Sequence, residues 1–150
     1  MSDRSLYCLC YATRHSDGIK TFRDCQMKAL EEETRTRAAT KIKHAEAVSG
    51  QRERFESLHE MAPNDLESKL ELARKAAEVA FLDLVRTAPA LITFEQVWPH
   101  VLSRHVVRLT DINDIAARLR KEERLIFPNW DPKKRVPKGH HRVQKRSLGD

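Results

Sequence analysis

Lys133, Lys134, Arg135, Lys138 and Arg142 crowd together near the carboxyl end, followed by Lys145 and Arg146. A cluster of that kind has one ready chemistry: it neutralises phosphate oxygens and releases their counterions. The rest of the chain is electrically balanced. Residues 1 to 131 carry 21 Lys plus Arg against 21 Asp plus Glu, so the whole formal charge of +6 falls on residues 132 to 150, where 7 − 1 = +6. A neutral body with a cationic end can meet an anionic partner at close range.

The other reactive side chains make weaker constellations. Cys8, Cys10 and Cys25 are an odd number without a secreted-scaffold spacing, so reduced thiols are expected. Together with His15 they lack the C-x2-C spacing of a structural zinc site, and no metal is expected. Arg14, His15 and Asp17 follow an apolar strand, which is where α/β sheets place ligands. There is no glycine-rich phosphate loop, no G-x-S-x-G and no H-E-x-x-H. The chain is therefore not expected to be a self-contained enzyme or to hold a cofactor. His140 and His141 read as part of a solvated tail, and Trp98 and Trp130 as packing residues rather than a base-stacking platform.

These groups have to be positioned by a chain of 150 residues, 33% of them charged, with 4 Gly and 6 Pro. That profile indicates a mainly α protein with a small β component, an α+β fold of one or two small domains. No apolar run approaches the roughly 18 residues that span a bilayer, and the amino end lacks the basic region and long apolar core of a signal peptide. A cytoplasmic protein without membrane contact is expected.

Residues 1–62 read as a strand-loop-helix segment with a charged helical linker. Leu6 to Ala12 is apolar on both alternating faces, which predicts a strand buried on both sides. Thr13 to Gly18 reads as a turn, and Ile19, Phe22, Cys25 and Ala29 recur at helical spacing. No second strand follows nearby, so the edges of the first must be paired by something else. That makes Leu6, Tyr7, Leu9 and Tyr11 an association element for a homodimer or a second protein chain. From Glu31 to about Ala62 the composition predicts a long exposed helix, or two helices broken near Ser49-Gly50.

Residues 63–150 read as a winged helix-turn-helix with a basic wing and tail. Leu66, Leu70, Ala73, Ala77, Phe81, Leu84 and Val85 mark an amphipathic helix over 66–86. Ala90-Leu91-Ile92 can add an edge strand, and Thr93-Phe94-Glu95-Gln96 is a capping box opening a helix that buries Phe94, Val97, Trp98, Val101 and Leu102. Pro99 inside that helix costs one backbone donor. Thr110 and Asp111 are read as capping a third helix, with Ile112, Ile115, Ala116 and Leu119 inward and Asn113, Asp114, Ala117, Arg118, Lys121 and Arg124 outward; Arg120 sits on the flank. Leu125 to Trp130 and Arg135 to Pro137 then form the two strands of a wing around a basic tip.

The stretch Tyr11-Ala12-Thr13-Arg14-His15-Ser16-Asp17-Gly18, with Phe22-Arg23-Asp24 and Lys28-Ala29-Leu30, resembles a late segment of the three-Cys-motif partner protein family. The region from Ile92 to Pro137, including Phe94-Glu95-Gln96-Val97-Trp98 and Arg118-Leu119-Arg120-Lys121-Glu122, resembles the winged helix that ends those proteins. The resemblance implies an α/β domain of methyltransferase type ahead of this segment, and association with a separate protein that bears the three-cysteine motif. The glycine-rich cofactor loop of such a domain has no counterpart here, so no catalytic residue carries over.

The leading expectation is a winged helix protein that binds double-stranded DNA as a transcriptional or mobile-element-associated regulator. Its contacts would be Asn113, Arg118, Arg120, Lys121 and Arg124 on and beside the third helix, and Lys133, Lys134, Arg135, Lys138 and Arg142 on the wing and tail. The alternative is a non-catalytic subunit that docks onto a methyltransferase-like protein. Asp111 and Asp114, near the helix end that normally approaches DNA, count against the first reading, although the helix dipole also accounts for them.

Overall fold

The computed structural model describes residues 11–49, 63–88, 91–131 and 133–145. Helices α1 (Ser16–Ser49) and α2 (Pro63–Thr87) are followed by strand β1 (Ile92–Thr93), helices α3 (Phe94–Arg104) and α4 (Leu109–Lys121), and strands β2 (Leu125–Ile126) and β3 (Arg142–Lys145). The protein is thus mainly helical with one small antiparallel sheet. β3 lies in the middle of that sheet: Ile92 faces Val143 on one side and Leu125 faces Lys145 on the other.

The helix periods explain the core. Pro63 stands at the first position of α2, where a missing N–H costs nothing. Ala77, Phe81 and Val85 of α2 then meet Phe94, Val97, Trp98, Val101 and Leu102 of α3 and Ile112, Ile115, Ala116 and Leu119 of α4. Val107, Leu125, Phe127, Trp130 and Val143 close the same cluster. Burying a side chain such as Phe81 or Leu119 contributes about 1.5–3 kcal/mol. α3 runs unbroken through Pro99. Its start is fixed as expected, with the Thr93 N–H donating to Gln96 Oε1 at 2.8 Å.

α1 departs from the expected pattern. It begins at Ser16, inside the stretch read as a turn, and its buried positions among the described residues are Arg23, Met27 and Ala38, whereas Cys25 and Ala29 are exposed. The cause is a polar contact that apolar periodicity does not register. The Arg23 guanidinium lies over the end of α3 and donates to the carbonyls of Leu102 (2.7 Å) and Ser103 (3.2 Å). It therefore satisfies acceptors that the last helical turn leaves open, at the negative end of the dipole. Burial depresses its pKa, though an arginine so placed stays charged. Farther along, Glu31 of α1 accepts from Arg108 Nη2 at 2.6 Å.

Leu6, Tyr7 and Leu9 lie outside the described residues. Tyr11 and Ala12, the end of the expected strand, are in no strand; the Tyr11 ring instead stacks on Phe22 of α1, centroids 4.6 Å apart. α1 is described as far as Ser49; Gly50 and the rest of the stretch to Ala62, where the sequence allowed one long helix or a break, lie outside the described residues.

Candidate nucleic-acid interface

α4 enters from Arg108 rather than Thr110. The Asp111 carboxylate receives the Arg108 backbone N–H on one oxygen (2.7 Å) and Arg74 Nε of α2 on the other (3.0 Å). Arg74 also donates to Glu67 at 2.6 Å, and that bond holds its pKa above the ordinary value. The acid at the start of α4 is thus both a helix cap and a tether to α2. Asp114 is exposed one turn on.

The exit from α4 is equally specific. Glu123 adopts a left-handed backbone with φ 57°, and the Arg124 N–H returns to the Leu119 carbonyl at 2.9 Å. This reversal ends the helix and turns Arg124 back toward α2. There Glu78 takes Arg118 Nη2 on Oε2 at 2.6 Å and Arg124 Nη1 on Oε1 at 2.9 Å. Arg124 also lies 3.4 Å from Glu122. Arg120 is engaged elsewhere: its guanidinium sits 4.5 Å from the centroid of the Trp130 ring and donates to the Trp130 carbonyl at 2.9 Å. Asn113 is half-buried and Lys121 exposed, neither with a side-chain partner among the described residues.

The chain from β2 to β3 is longer than a tight wing hairpin. The second strand is Arg142–Lys145, not Arg135–Pro137, because Pro137 has no N–H to give a central ladder and is buried in the loop instead, while Val143 fills the inward position. The intervening loop is nonetheless tied down. Phe127 and Trp130 pack edge to face at 4.9 Å, and Trp130, 3% exposed, donates through Nε1 to the Lys134 carbonyl at 3.0 Å. The Asn129 amide accepts the Arg142 N–H at 2.7 Å and donates to the His140 carbonyl at 3.3 Å. The carbonyls of Gly139 and His141 receive the first N–H groups of α3, those of Glu95 (2.9 Å) and Phe94 (2.8 Å). A side chain at Gly139 would press on the Glu95 carboxylate, 3.0 Å from an added Cβ.

His141 is buried, not part of a solvated tail. It is 5% exposed, stacks near Trp130 and accepts the Lys138 N–H on Nδ1 at 2.9 Å. Burial first, then the charges of His140, Lys138 and Arg120, hold its pKa below the ordinary imidazole value. The sequence signal that could have found it is the alternation into β3: His141 stands two residues before the buried Val143, with exposed Arg142 between them.

This anchored loop presents Lys133, Lys134, Arg135 and Lys138, with Arg142 at the start of β3, all exposed and none with a side-chain partner among the described residues. The structure thus brings the loop cations into one connected segment, and it binds Arg118, Arg120 and Arg124 to its own groups. Among the described residues no three His, Cys, Asp or Glu side chains gather to hold a metal ion, and no helix is long and apolar enough to cross a membrane.

The fold and the site define a small, mainly helical protein with a sheet-bound cationic loop. No family model, no curated protein and no solved structure matches the chain.

Proposed function

We propose that this protein is a winged helix-turn-helix module that binds double-stranded DNA, with the loop between β2 and β3 as its main contact. The topology supports the fold reading: helix, strand, helix, helix, strand, strand, with the last strand between the other two. One observation carries the functional reading. Lys133, Lys134, Arg135 and Lys138, on a loop that Trp130, Asn129 and His141 hold in place, and Arg142 at the start of β3 stand exposed, with no side-chain partner among the described residues. A fixed array of cations binds a polyanion at a smaller entropic cost than the same charges on a free tail. Phosphate contact gives affinity without sequence information, and Lys121 with Asn113 on α4 are the groups left to read base edges.

The test is fluorescence anisotropy of a short labelled duplex titrated over a range of salt. Replacing Lys133, Lys134 and Arg135 by Ala together should flatten the slope of log affinity against log salt by about 2.7, at roughly 0.9 for each phosphate no longer neutralised. Absence of duplex binding by the unmodified protein at low salt would overturn the reading and leave the docking-subunit alternative. Association through Leu6 to Ala12 belongs to the same proposal: a mass in solution above one chain, reduced by Leu9→Asp, is the outcome expected, and a monomer at all concentrations sinks it.

A further inference from the structure

The arrangement at the end of α4 points to a second anion site that the protein fills with its own carboxylate. We propose that Arg118 and Arg124 form a binding site for a backbone phosphate, and that Glu78 occupies it in the free protein. The inference rests on the duplex-binding reading of the loop and adds to it a site and a control on affinity.

The geometry is that of an anion clamp. Glu78 accepts from one guanidinium on each of its oxygens, at 2.6 and 2.9 Å, so two cations converge on one carboxylate, with Glu122 at 3.4 Å from Arg124 as the weaker second partner. A phosphodiester offers the same pair of oxygens, and guanidinium forks accept either anion. Exposure is unequal. The Glu78 side chain is 14% exposed, whereas those of Arg118 and Arg124 are 52% and 48% exposed, so the arginines are far more open to solvent than the carboxylate that holds them. Position adds to this. Arg118 stands three residues before Lys121 on α4 and is therefore its surface neighbour. The reversed chain at Glu123 fixes Arg124 beside them. A phosphate drawn to Lys121 meets both arginines, and exchange of one anion for another sets how strongly α4 contributes. In the free protein that contribution is muted.

The experiment compares Glu78→Gln with Glu71→Gln. Both remove one negative charge from α2, but the ion pair of Glu71 among the described residues is with Lys75, one turn away on the same helix. Glu78→Gln should tighten binding of a short duplex by roughly tenfold and steepen its salt slope by about one to two, while Glu71→Gln should change the slope little. On a phosphocellulose column Glu78→Gln should elute at higher salt than Glu71→Gln, and adding Arg118→Ala and Arg124→Ala should abolish the difference. Identical salt slopes and elution for the two glutamine variants would overturn the site. The resin comparison decides this even where no duplex binds, a result that would sink the loop reading alone. Should Glu78→Gln fail to fold, Arg118→Ala with Arg124→Ala in the otherwise unmodified protein replaces it. Affinity within about twofold of the unmodified value is expected for arginines already neutralised, and a salt slope shallower by about 0.9, the share of one whole phosphate, would refute the muting.

Discussion

The outward edge of α4 and the loop between β2 and β3 are both rich in Lys and Arg, yet they present very different electrostatic surfaces. On and beside α4, Arg118 and Arg124 share Glu78, Arg120 lies against Trp130, and Asp111 is held by Arg74. In the loop, Lys133, Lys134, Arg135 and Lys138 have no side-chain partner among the described residues. The same residue types act as internal fasteners in one place and as a free field in the other. What separates them is the neighbouring helix: α2 supplies Glu78 and Arg74 to α4, whereas among the described residues it pairs no acid with the loop cations.

The comparison breaks most completely at Trp130. Trp130→Ala removes a buried ring, its edge contact with Phe127, its hydrogen bond to Lys134 and the platform under Arg120. A loss of about 3–5 kcal/mol in urea unfolding is expected, with duplex affinity falling although every loop charge is retained. Full stability in this variant would show that the loop is not anchored as described.

Removing the loop charges comes next. Lys133→Ala, Lys134→Ala and Arg135→Ala together should weaken duplex binding by roughly a hundredfold at low salt and leave unfolding within about 0.5 kcal/mol, because exposed, unpaired side chains contribute little to the fold. Weakened folding would instead place these residues in the packing.

A smaller effect is expected from pH. His141 has a folded pKa below the ordinary value of 6.5, so the unfolded chain binds its proton first as pH falls. The stability contributed by neutral His141 is therefore complete above 6.5 and is lost as pH drops from there through the lower folded value. Protonation also turns the Nδ1 acceptor into a donor facing the Lys138 N–H. Thermal melts between neutral and mildly acidic pH should show this loss, and His141→Gln should flatten it; an unchanged slope in that variant would assign the loss to another group.

The smallest effect should come from Arg118→Ala alone. With Glu78 already on it, its loss should change duplex affinity by less than about threefold, against roughly tenfold for Lys134→Ala, the difference between a paired and an unpaired cation. Equal losses at the two positions would erase the distinction between the regions.

Much of α2, α3 and α4 was legible because their apolar residues repeat at the helical period and their buried faces follow from it. Thr93 with Gln96 also announced the start of α3 through short-range hydrogen bonding. The α1 face differs from the apolar reading because one of its buried residues is Arg23, whose reason for burial is a pair of carbonyls about eighty residues away. The second strand of the sheet was misplaced for a similar reason: Arg135-Val136-Pro137 and Arg142-Val143 are both short and polar-flanked, and only pairing with Ile92 and Leu125 selects the latter.

Sequence by itself determined the helical content, the apolar faces of α2 to α4 and the concentration of positive charge near the carboxyl end, since each depends on residue type and near-neighbour spacing. Tertiary structure alone decided which cations are available. Ion pairing falls off over a few ångströms, and Glu78 meets Arg118 and Arg124 only when α2 and α4 pack, forty and forty-six residues apart along the chain.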